Sequence, residues 1–208
     1  MTRPVLTIGH STHPIAEFLV MLAKSKITAI ADVRSSPYSR FNPQYNRESL
    51  KRALTDAGIC YVFLGKELGA RSDDSSVYQN GKVQYHELAR APLFQQGIAR
   101  VIEGAKTHGV ALMCAEKEPL DCHRTILVAR ELAGRGIDIQ HILADGSLES
   151  HEHAMCRLMD ELGIPSQDMF RSSNDLVNDA YAMQAEKIAY DSNDRSIKDG
   201  DDNVEAEG

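Results

Sequence analysis

The chain alternates five times between a short apolar run and a longer stretch in which apolar residues recur every three or four positions. A short apolar run bounded by turn residues is typical of a buried strand, and the longer period is typical of an amphipathic helix. The predicted strands are residues 5–8, 27–33, 59–64, 110–113 and 137–143. Strands that alternate with helices favour a parallel sheet covered on both faces.

The predicted helices end where glycine or proline interrupts the pattern. Gly58, Gly109 and Gly134 stop the helices that follow the second, third and fourth strands. A last helix over about 149–162 ends before Pro165. Residues 65–91 are predicted to be a polar loop with one short helical piece.

Together these elements predict an α/β fold with a five-stranded, mainly parallel sheet and helices on both faces. The predicted domain covers residues 1–165. Residues 166–208 are polar and rich in acidic side chains. They are predicted to form a flexible acidic C-terminal extension, with a helix over 176–190 followed by a disordered end.

Composition and charge narrow the classes of function. With 208 residues, 42% of them hydrophobic and 25% charged, the chain resembles an ordinary soluble globular protein. The net charge of -7 argues against coating nucleic acid through bulk electrostatics, although it leaves room for a local basic cleft. No signal peptide and no apolar run near ~18 residues are present, so a cytoplasmic protein with reduced cysteines and no membrane partner is expected.

Polar side chains collect where the predicted strands end. Residues 9–12 follow the first strand, residues 32–40 close the second, and Lys66 and Gly69 follow the third. The fourth strand leads into a loop of unusual composition, and the fifth contains His141. Because ligands of open parallel sheets bind outside the carboxyl ends of the strands, this placement predicts a binding site along one edge.

The loop from Cys114 to Arg124 contains two thiols, an imidazole, a guanidinium and three carboxylates within eleven residues. A strand-to-helix loop rarely needs so much reactive chemistry for packing alone, so it indicates a site. The predicted catalytic residues are Cys114, Glu116, His10, Asp32 and His123. The predicted substrate-binding residues are Ser11, Arg34, Ser39, Arg40, Lys66, Cys122 and Arg124.

Several of these residues admit a structural alternative. Cys114 is either a thiolate nucleophile at a helix start or an inert buried cysteine. Arg124 either holds an anion at the helix start or forms a salt bridge with a nearby carboxylate. Asp32 and Arg34 share a strand face and either orient a ligand or pair with each other.

The cysteines and histidines give only a weak indication of a metal site. Cys114, Cys122, His123 and His10 are soft ligands, but their spacing is not that of a tight zinc knuckle, so no metal is expected. His151 and His153 are two positions apart and do not share a helical face, so they are predicted to be ordinary surface residues. The cofactor and the oligomeric state are left open.

Three segments resemble a known family. The segment from Thr7 to Thr12, the segment Asp32-Val33-Arg34 with Pro37 and Ser39-Arg40, and the pattern Cys114-x-Glu116-x-x-Pro119-x-x-Cys122-His123-Arg124 are similar to the signatures of the family called domain of unknown function 488. The resemblance covers roughly residues 4–150. It implies a compact α/β domain with a pocket formed by these segments, and it supplies no reaction.

A second likeness is to rhodanese-type sulfurtransferases, which also have an Asp-x-Arg after an early strand and a cysteine opening a strand-to-helix loop. The loop after Cys114 is longer than the rhodanese loop. The Cys-x5-Arg signature of cysteine phosphatases fails, because the residue six positions after Cys114 is Leu120.

The resulting expectation is a small enzyme that acts on an anionic, nucleotide-like or nucleic-acid-derived substrate in a pocket of Cys, His, Arg and Glu side chains. Glu116 or Asp32 would be the general acid or base, His10 and His123 would carry protons, and arginines would hold the anion. Two alternatives stay open. One is a sulfur-transfer or thiol-redox protein, and the other is a non-catalytic module that binds an anionic small molecule or a nucleic-acid fragment.

Overall fold

A computed structural model describes residues 3–193. Its centre is a six-stranded sheet in the order β3-β2-β6-β1-β7-β8, in which only the last pair is antiparallel. A separate hairpin contains β4 and β5. The strands are β1 Val5–Gly9, β2 Ala29–Asp32, β3 Cys60–Phe63, β4 Tyr78–Gln79, β5 Lys82–Val83, β6 Val110–Cys114, β7 Ile139–Ile142 and β8 Leu148–Ser150.

Helices connect the parallel strands. They are α1 Ile15–Lys24, α2 Arg47–Asp56, α3 Gly65–Leu68, α4 Tyr85–Arg90, α5 Pro92–Gly104, α6 Arg130–Ala133, α7 His151–Glu161 and α8 Ser173–Ile188. Short 3₁₀ turns cover Pro43–Tyr45 and Ser75–Val77. A π-helical segment, Arg124–Ala129, follows the loop after β6 and continues directly into α6.

The α/β class, the mainly parallel sheet and the helices on both faces are confirmed, but the predicted number of five strands is wrong. The sixth strand, Leu148–Ser150, pairs antiparallel with β7 at the edge of the sheet. It has three residues and runs straight into α7, so it is too short to produce a period of its own. The helix predicted over about 149–162 included the last two residues of this strand.

Two hydrophobic clusters lie on opposite faces of the sheet. On one face, Leu6 and Ile8 pack with residues of α1 and α2, among them Phe18 and Leu54. On the other face, residues of β1, β2 and β6 pack with α5, the π-helical segment, α7 and α8. Neighbouring side chains of a strand point to opposite faces, which explains why these strands are apolar at nearly every position.

Residues 65–91 are more ordered than the sequence pattern predicts. This region contains α3, a 3₁₀ turn, the β4–β5 hairpin and α4. The two residues between β4 and β5 are Asn80 and Gly81, both with positive φ, at 52° and 84°. Asn-Gly is the pair that favours a two-residue hairpin turn, because both residues tolerate the left-handed region.

The C-terminal extension is helical through α8, as predicted. Ser172 caps this helix together with Asp175 in a capping box. Leu176, Ala180 and Tyr181 are buried and join the cluster beneath the π-helical segment. The predicted disordered acidic end lies outside the described residues, and the predicted boundary at residue 165 stays a prediction.

None of the helices within residues 3–193 has both the length and the apolar character that crossing a membrane requires.

Candidate functional site

The carboxyl ends of three neighbouring strands form one edge of the site. β6 lies between β1 and β2, although it follows both in the chain by many residues. The ends of these strands are Gly9, Asp32 and Cys114, so the segments that leave them start side by side. Such a point in the strand order is where open α/β sheets place their ligands.

The end of β1 is fixed against the loop that follows β6. The backbone N–H groups of His10 and Ser11 donate to the carbonyls of Cys114 and Ala115, each at 2.9 Å. A Cβ on Gly9 would lie 1.9 Å from the carbonyl oxygen of Glu116, so only glycine permits this approach. Gly9 therefore allows the segment after β1 to lie directly against the loop after β6.

Arg34 is the centre of a buried polar network. Its guanidinium donates to both carboxylate oxygens of Asp32, at 2.9 and 2.6 Å, and to the Tyr45 carbonyl at 2.9 Å. Nη1 donates to Nε2 of His10 at 3.1 Å. Within residues 3–193, four of the five guanidinium N–H donors thus have partners, and the fifth is left for a ligand.

The partners of Arg34 are themselves held in place. Asp32 is fully buried, and it also accepts hydrogen bonds from the Tyr61 hydroxyl and the Arg34 backbone. His10 stacks on Tyr45 and donates from Nδ1 to the Ser11 carbonyl. Burial lowers the pKa of His10 to about 4, so its Nε2 stays an acceptor at neutral pH. This arrangement makes Asp32 and His10 supports for Arg34.

Two sulfur atoms and one imidazole nitrogen meet at the end of β6. Nδ1 of His123 lies 3.8 Å from the Cys114 sulfur and 3.9 Å from the Cys122 sulfur. All three atoms lie within 4.8 Å of one another. Nε2 of His123 donates to the Val33 carbonyl at 3.0 Å, which fixes the ring with Nδ1 toward the sulfurs. We call Cys114, Cys122 and His123 the Cys₂His cluster.

The two thiols of the cluster differ in acidity. Burial and the neighbouring Cys122 raise the pKa of Cys114 well above its usual range. Burial also opposes ionisation of Cys122, but the hydrogen bond from Cys114 and the charge of Arg124 lower the pKa of Cys122. Oε2 of Glu116 lies 3.0 Å from the Cys122 sulfur. Cys122 is therefore the sulfur of this pair that ionises first.

Arg124 holds the loop from behind. It is fully buried, and its guanidinium donates to the carbonyls of Glu116 at 2.8 Å and Lys117 at 3.3 Å. Its backbone N–H points to the Cys122 sulfur at 3.4 Å. Nε of Arg124 has no hydrogen-bond partner among the described residues. The guanidinium bonds are with backbone carbonyls, so Arg124 forms no salt bridge within residues 3–193, and the predicted anion contact stays a prediction.

Two adjoining cavities open at this edge of the sheet. Cavity A has a volume of about 320 Å³ and contains the Cys₂His cluster and Glu116 in its wall. Cavity B has a volume of about 280 Å³ and is lined by His10, Ser11, Ser39 and their neighbours. The two cavities share Arg34, Ser36 and Ala115.

The structure brings most of the predicted site residues to these cavities. Those that line cavity A or cavity B are Cys114, Glu116, Cys122, His123, Arg34, His10, Ser11 and Ser39. Asp32 and Arg124 lie behind the walls and do not line either cavity. Arg40 and Lys66 are exposed and line neither, and Arg40 stacks on the ring of Phe41.

Residues that the sequence pattern does not single out complete the cavities. Arg71, Tyr85, Ile188 and Tyr190 line cavity A, and Tyr38 and Asn42 line cavity B. Arg71 and Tyr190 are separated by more than a hundred positions, and no local spacing connects them. The Asn80-Gly81 pair was the one available sequence signal, because it predicts a hairpin in this region. The Val83 N–H of that hairpin donates to the Tyr190 carbonyl at 2.9 Å, which brings Tyr190 to the cavity.

A second buried network lies on the opposite side of β1, and it corrects the prediction for His151. A hydrogen-bonded chain runs from Thr7 through both nitrogens of His141 and of His151 to the Tyr181 hydroxyl, with distances of 2.8, 2.9 and 2.7 Å. His151 is partly buried in this chain and is not an ordinary surface residue. Only His153 is exposed as predicted.

A protein-family model matches the central part of the chain. The family model described as Domain of unknown function DUF488 matches residues 14–130, which is more than half of the chain. The chain belongs to the DUF488 family. No curated protein matches it.

The DUF488 match confirms the resemblance and is shorter than the predicted span of 4–150. It contains β2, Arg34 with its partners Asp32 and Tyr45, and the whole loop from Cys114 to Arg124. His10 and Ser11 lie just before the matched residues, and α8 and Tyr190 lie after them. The two cavities are thus built from the DUF488 region together with segments on both sides of it. The family match does not bear on the likeness to rhodaneses, which stays a prediction from the sequence.

Proposed function

We propose that this DUF488 protein is an enzyme whose substrate is a small anionic molecule of the nucleotide class, bound across cavities A and B. The observation that carries the proposal is the position of Arg71. Its guanidinium has no carboxylate partner among residues 3–193, and it stacks on Tyr190 at 4.4 Å in the wall of cavity A. An arginine without an ion pair beside a concave, hydroxyl-lined site suits a phosphate group.

Arg34 supports the same choice of ligand. It is buried between the two cavities, carries a charge that Asp32 holds in place, and keeps one N–H donor unused. The hydroxyl groups of Ser35 and Ser36 line cavity A beside it. A phosphate placed here would receive donors from two arginines and from neutral hydroxyls.

Cavity B suits the remainder of a nucleotide. Tyr38 lines it with a ring that is 71% exposed, and Ser39 and Asn42 add polar groups. An exposed aromatic ring at the mouth of a polar cavity is the arrangement on which nucleobases stack. Because cavity B adjoins cavity A through Arg34, one ligand of mononucleotide size can reach both.

The reactive groups stand next to the proposed phosphate position. The Cys₂His cluster and Glu116 line the same cavity as Arg71, and Oε2 of Glu116 lies 3.0 Å from the Cys122 sulfur. We assign Glu116 the role of general acid or base because of this reach. Asp32 and His10 position Arg34, and Arg124 orders the loop.

Ligand binding tests the proposal. Titration of the full chain with nucleoside monophosphates, inorganic phosphate and the matching nucleosides should give the tightest binding with the monophosphates. Arg71→Ala should weaken that binding at least about tenfold, which is about 1.4 kcal/mol. Arg52→Ala is the matched control, because Arg52 is exposed on α2 and lines neither cavity. Equal affinity of both variants would refute the ligand assignment.

Turnover separates an enzyme from a binding module. Incubation of each bound ligand with the wild-type chain, followed by chromatography, should give a product that Glu116→Gln fails to form. Binding without any product would refute the enzymatic function and favour a non-catalytic binding module.

Thiol chemistry is the second candidate function. It is favoured by one observation, the approach of the Cys114 and Cys122 sulfurs within 4.8 Å. It predicts a disulfide between these two residues or a persulfide on Cys122. Mass spectrometry of protein treated with graded oxidants or thiosulfate would detect either species, and the absence of both would exclude this candidate.

A further inference from the structure

We infer that Cys114, Cys122 and His123 bind a zinc ion in the wall of cavity A. This inference goes beyond the proposed substrate, because it concerns what the protein itself holds. The three residues offer two sulfur ligands and one imidazole nitrogen from one buried cluster. Zinc prefers such ligands, whereas magnesium and calcium prefer oxygen.

The distances in the cluster are close to those of a tetrahedral site. With Zn–S near ~2.3 Å and Zn–N near ~2.0–2.1 Å, a sulfur–nitrogen edge is about 3.5 Å long. The observed edges are 3.8 Å for Cys114 with His123 and 3.9 Å for Cys122 with His123. The two sulfur–nitrogen edges therefore need to shorten by only a few tenths of an ångström, and the two sulfurs already lie within 4.8 Å of each other.

The surroundings of His123 are those of a zinc ligand. Its Nε2 donates to the Val33 carbonyl at 3.0 Å, and this bond leaves Nδ1 as the nitrogen that faces both sulfurs. Metal-binding histidines are commonly oriented by such a bond on the other nitrogen. The Arg124 backbone N–H at 3.4 Å from the Cys122 sulfur orients the second ligand in the same way.

The fourth position of the ion would face cavity A. All three proposed ligands line this cavity, as does Glu116, whose Oε2 is 3.0 Å from the Cys122 sulfur. Three protein ligands with an open position are typical of a catalytic zinc site, and a closed set of four is typical of a structural one. Glu116 would be available in the same cavity to exchange a proton with a water molecule in the open position.

The spacing of these three residues along the chain does not predict the site, because it is not that of a zinc knuckle. Cys114 ends β6, whereas Cys122 and His123 lie directly before the π-helical segment, eight and nine positions further along the chain. The loop between them is folded back by the bonds of Arg124 to its carbonyls. The fold therefore supplies the convergence that local spacing does not.

Zinc analysis of the full chain tests the inference. After dialysis against zinc and removal of loosely bound metal, the wild-type protein should contain about one zinc per chain by mass spectrometry. Cys114→Ser and Cys122→Ser should each lower the zinc affinity at least about tenfold. The matched controls are Cys60→Ser and Cys156→Ser, because both cysteines are exposed and outside the cluster. A zinc affinity that falls equally in the control variants, or that stays unchanged in the two cluster variants, would overturn the inference.

Cobalt gives a readout that needs no variant. Replacement of zinc by Co²⁺ in the wild-type chain should produce a thiolate-to-metal charge-transfer band and the intense visible bands of tetrahedral cobalt. A spectrum of octahedral cobalt without a thiolate band, or no uptake of either metal, would contradict the site even if the cysteine variants fail to fold. Because this assay uses no nucleotide, its result is independent of the ligand proposal.

Discussion

At the scale of single residues, the site depends on a charge that is buried and paired before any ligand arrives. Arg34 is 5% exposed and receives its counter-charge from the fully buried Asp32. A buried ion pair of this kind is costly to break, because the remaining charge has neither water nor a partner. The pair therefore fixes the direction of the donor that Arg34 offers to the cavities.

Removing one member of this pair should be far more damaging than removing a neighbouring hydrogen bond. Asp32→Asn should lower the free energy of unfolding by about 3–5 kcal/mol. Tyr61→Phe removes only the hydroxyl that donates to Asp32 at 2.7 Å, and it should cost about 1 kcal/mol. Urea unfolding of both variants measures the difference, and equal costs would contradict the structural role of Asp32.

The histidine pair on the other side of β1 predicts acid instability. Burial lowers the pKa of His141 to about 3 and that of His151 to about 4, from an ordinary value of 6.5. The unfolded chain binds these protons and the folded chain does not, so stability should fall as pH falls from about 7 to 4. For His141 the loss at pH 4 is on the order of 3 kcal/mol.

The free energy of unfolding measured between pH 7 and pH 4 checks this. His151→Gln should flatten the curve, since one titrating group is removed. His86→Gln is the control, because His86 is exposed and outside the chain of hydrogen bonds. If the free energy of unfolding falls as steeply with pH in His151→Gln as in His86→Gln, then His141 and His151 are not a neutral buried pair.

At the scale of elements, α8 and the loop after β6 stabilise each other. Gln184 is 2% exposed on α8, and its side-chain N–H₂ donates to the Leu120 carbonyl at 2.9 Å and to Asp121 at 3.1 Å. These bonds connect a helix outside the family match to the loop that contains the Cys₂His cluster. The loop is thus held from two sides, by Arg124 within it and by α8 above it.

Loss of that connection should loosen the loop selectively. Gln184→Ala leaves a buried carbonyl unpaired and should cost about 1–3 kcal/mol. Hydrogen exchange should become faster in residues 115–123 and at the end of α8, with β1 and β2 little changed. Met183→Ala, at an exposed position of the same helix, is the control and should leave the exchange of the loop unchanged.

The sequence predicted the elements with a strong period and missed those specified by tertiary contacts. The helices and the parallel strands follow from apolar spacing, and Gly9, Asp32 and Cys114 were placed correctly at strand ends. The edge strand Leu148–Ser150 was missed because three residues carry no period. Arg71 and Tyr190 were missed because only the folded chain brings them together.

At the scale of the whole molecule, the end of α8 and the residues after it form part of the wall of cavity A. Ile188 and Tyr190 line cavity A, and Asp191 forms a β-bridge with Lys82 of the hairpin. A second contact is the ion pair of Lys82 with Glu186 at 2.7 Å. The C-terminal region thus covers a cavity whose other walls come from residues within the DUF488 match.

Opening this cover should expose the thiols of cavity A. Tyr190→Ala should raise the rate of alkylation of Cys122 several-fold, since the ring of Tyr190 lines the cavity that the reagent must enter. Cys60 and Cys156 provide internal controls in the same sample, because both are exposed elsewhere. Peptide mass spectrometry over a time course measures all the rates, and an unchanged rate for Cys122 would show that Tyr190 does not limit access.

The most direct test of the account is a crystal structure of the zinc-treated full chain, with anomalous data collected on both sides of the zinc absorption edge. The account predicts one strong peak about 2.3 Å from the sulfurs of Cys114 and Cys122 and about 2.0–2.1 Å from Nδ1 of His123, at the wall of cavity A. Density in which these three side chains point to different surfaces, with no zinc between them, would contradict it.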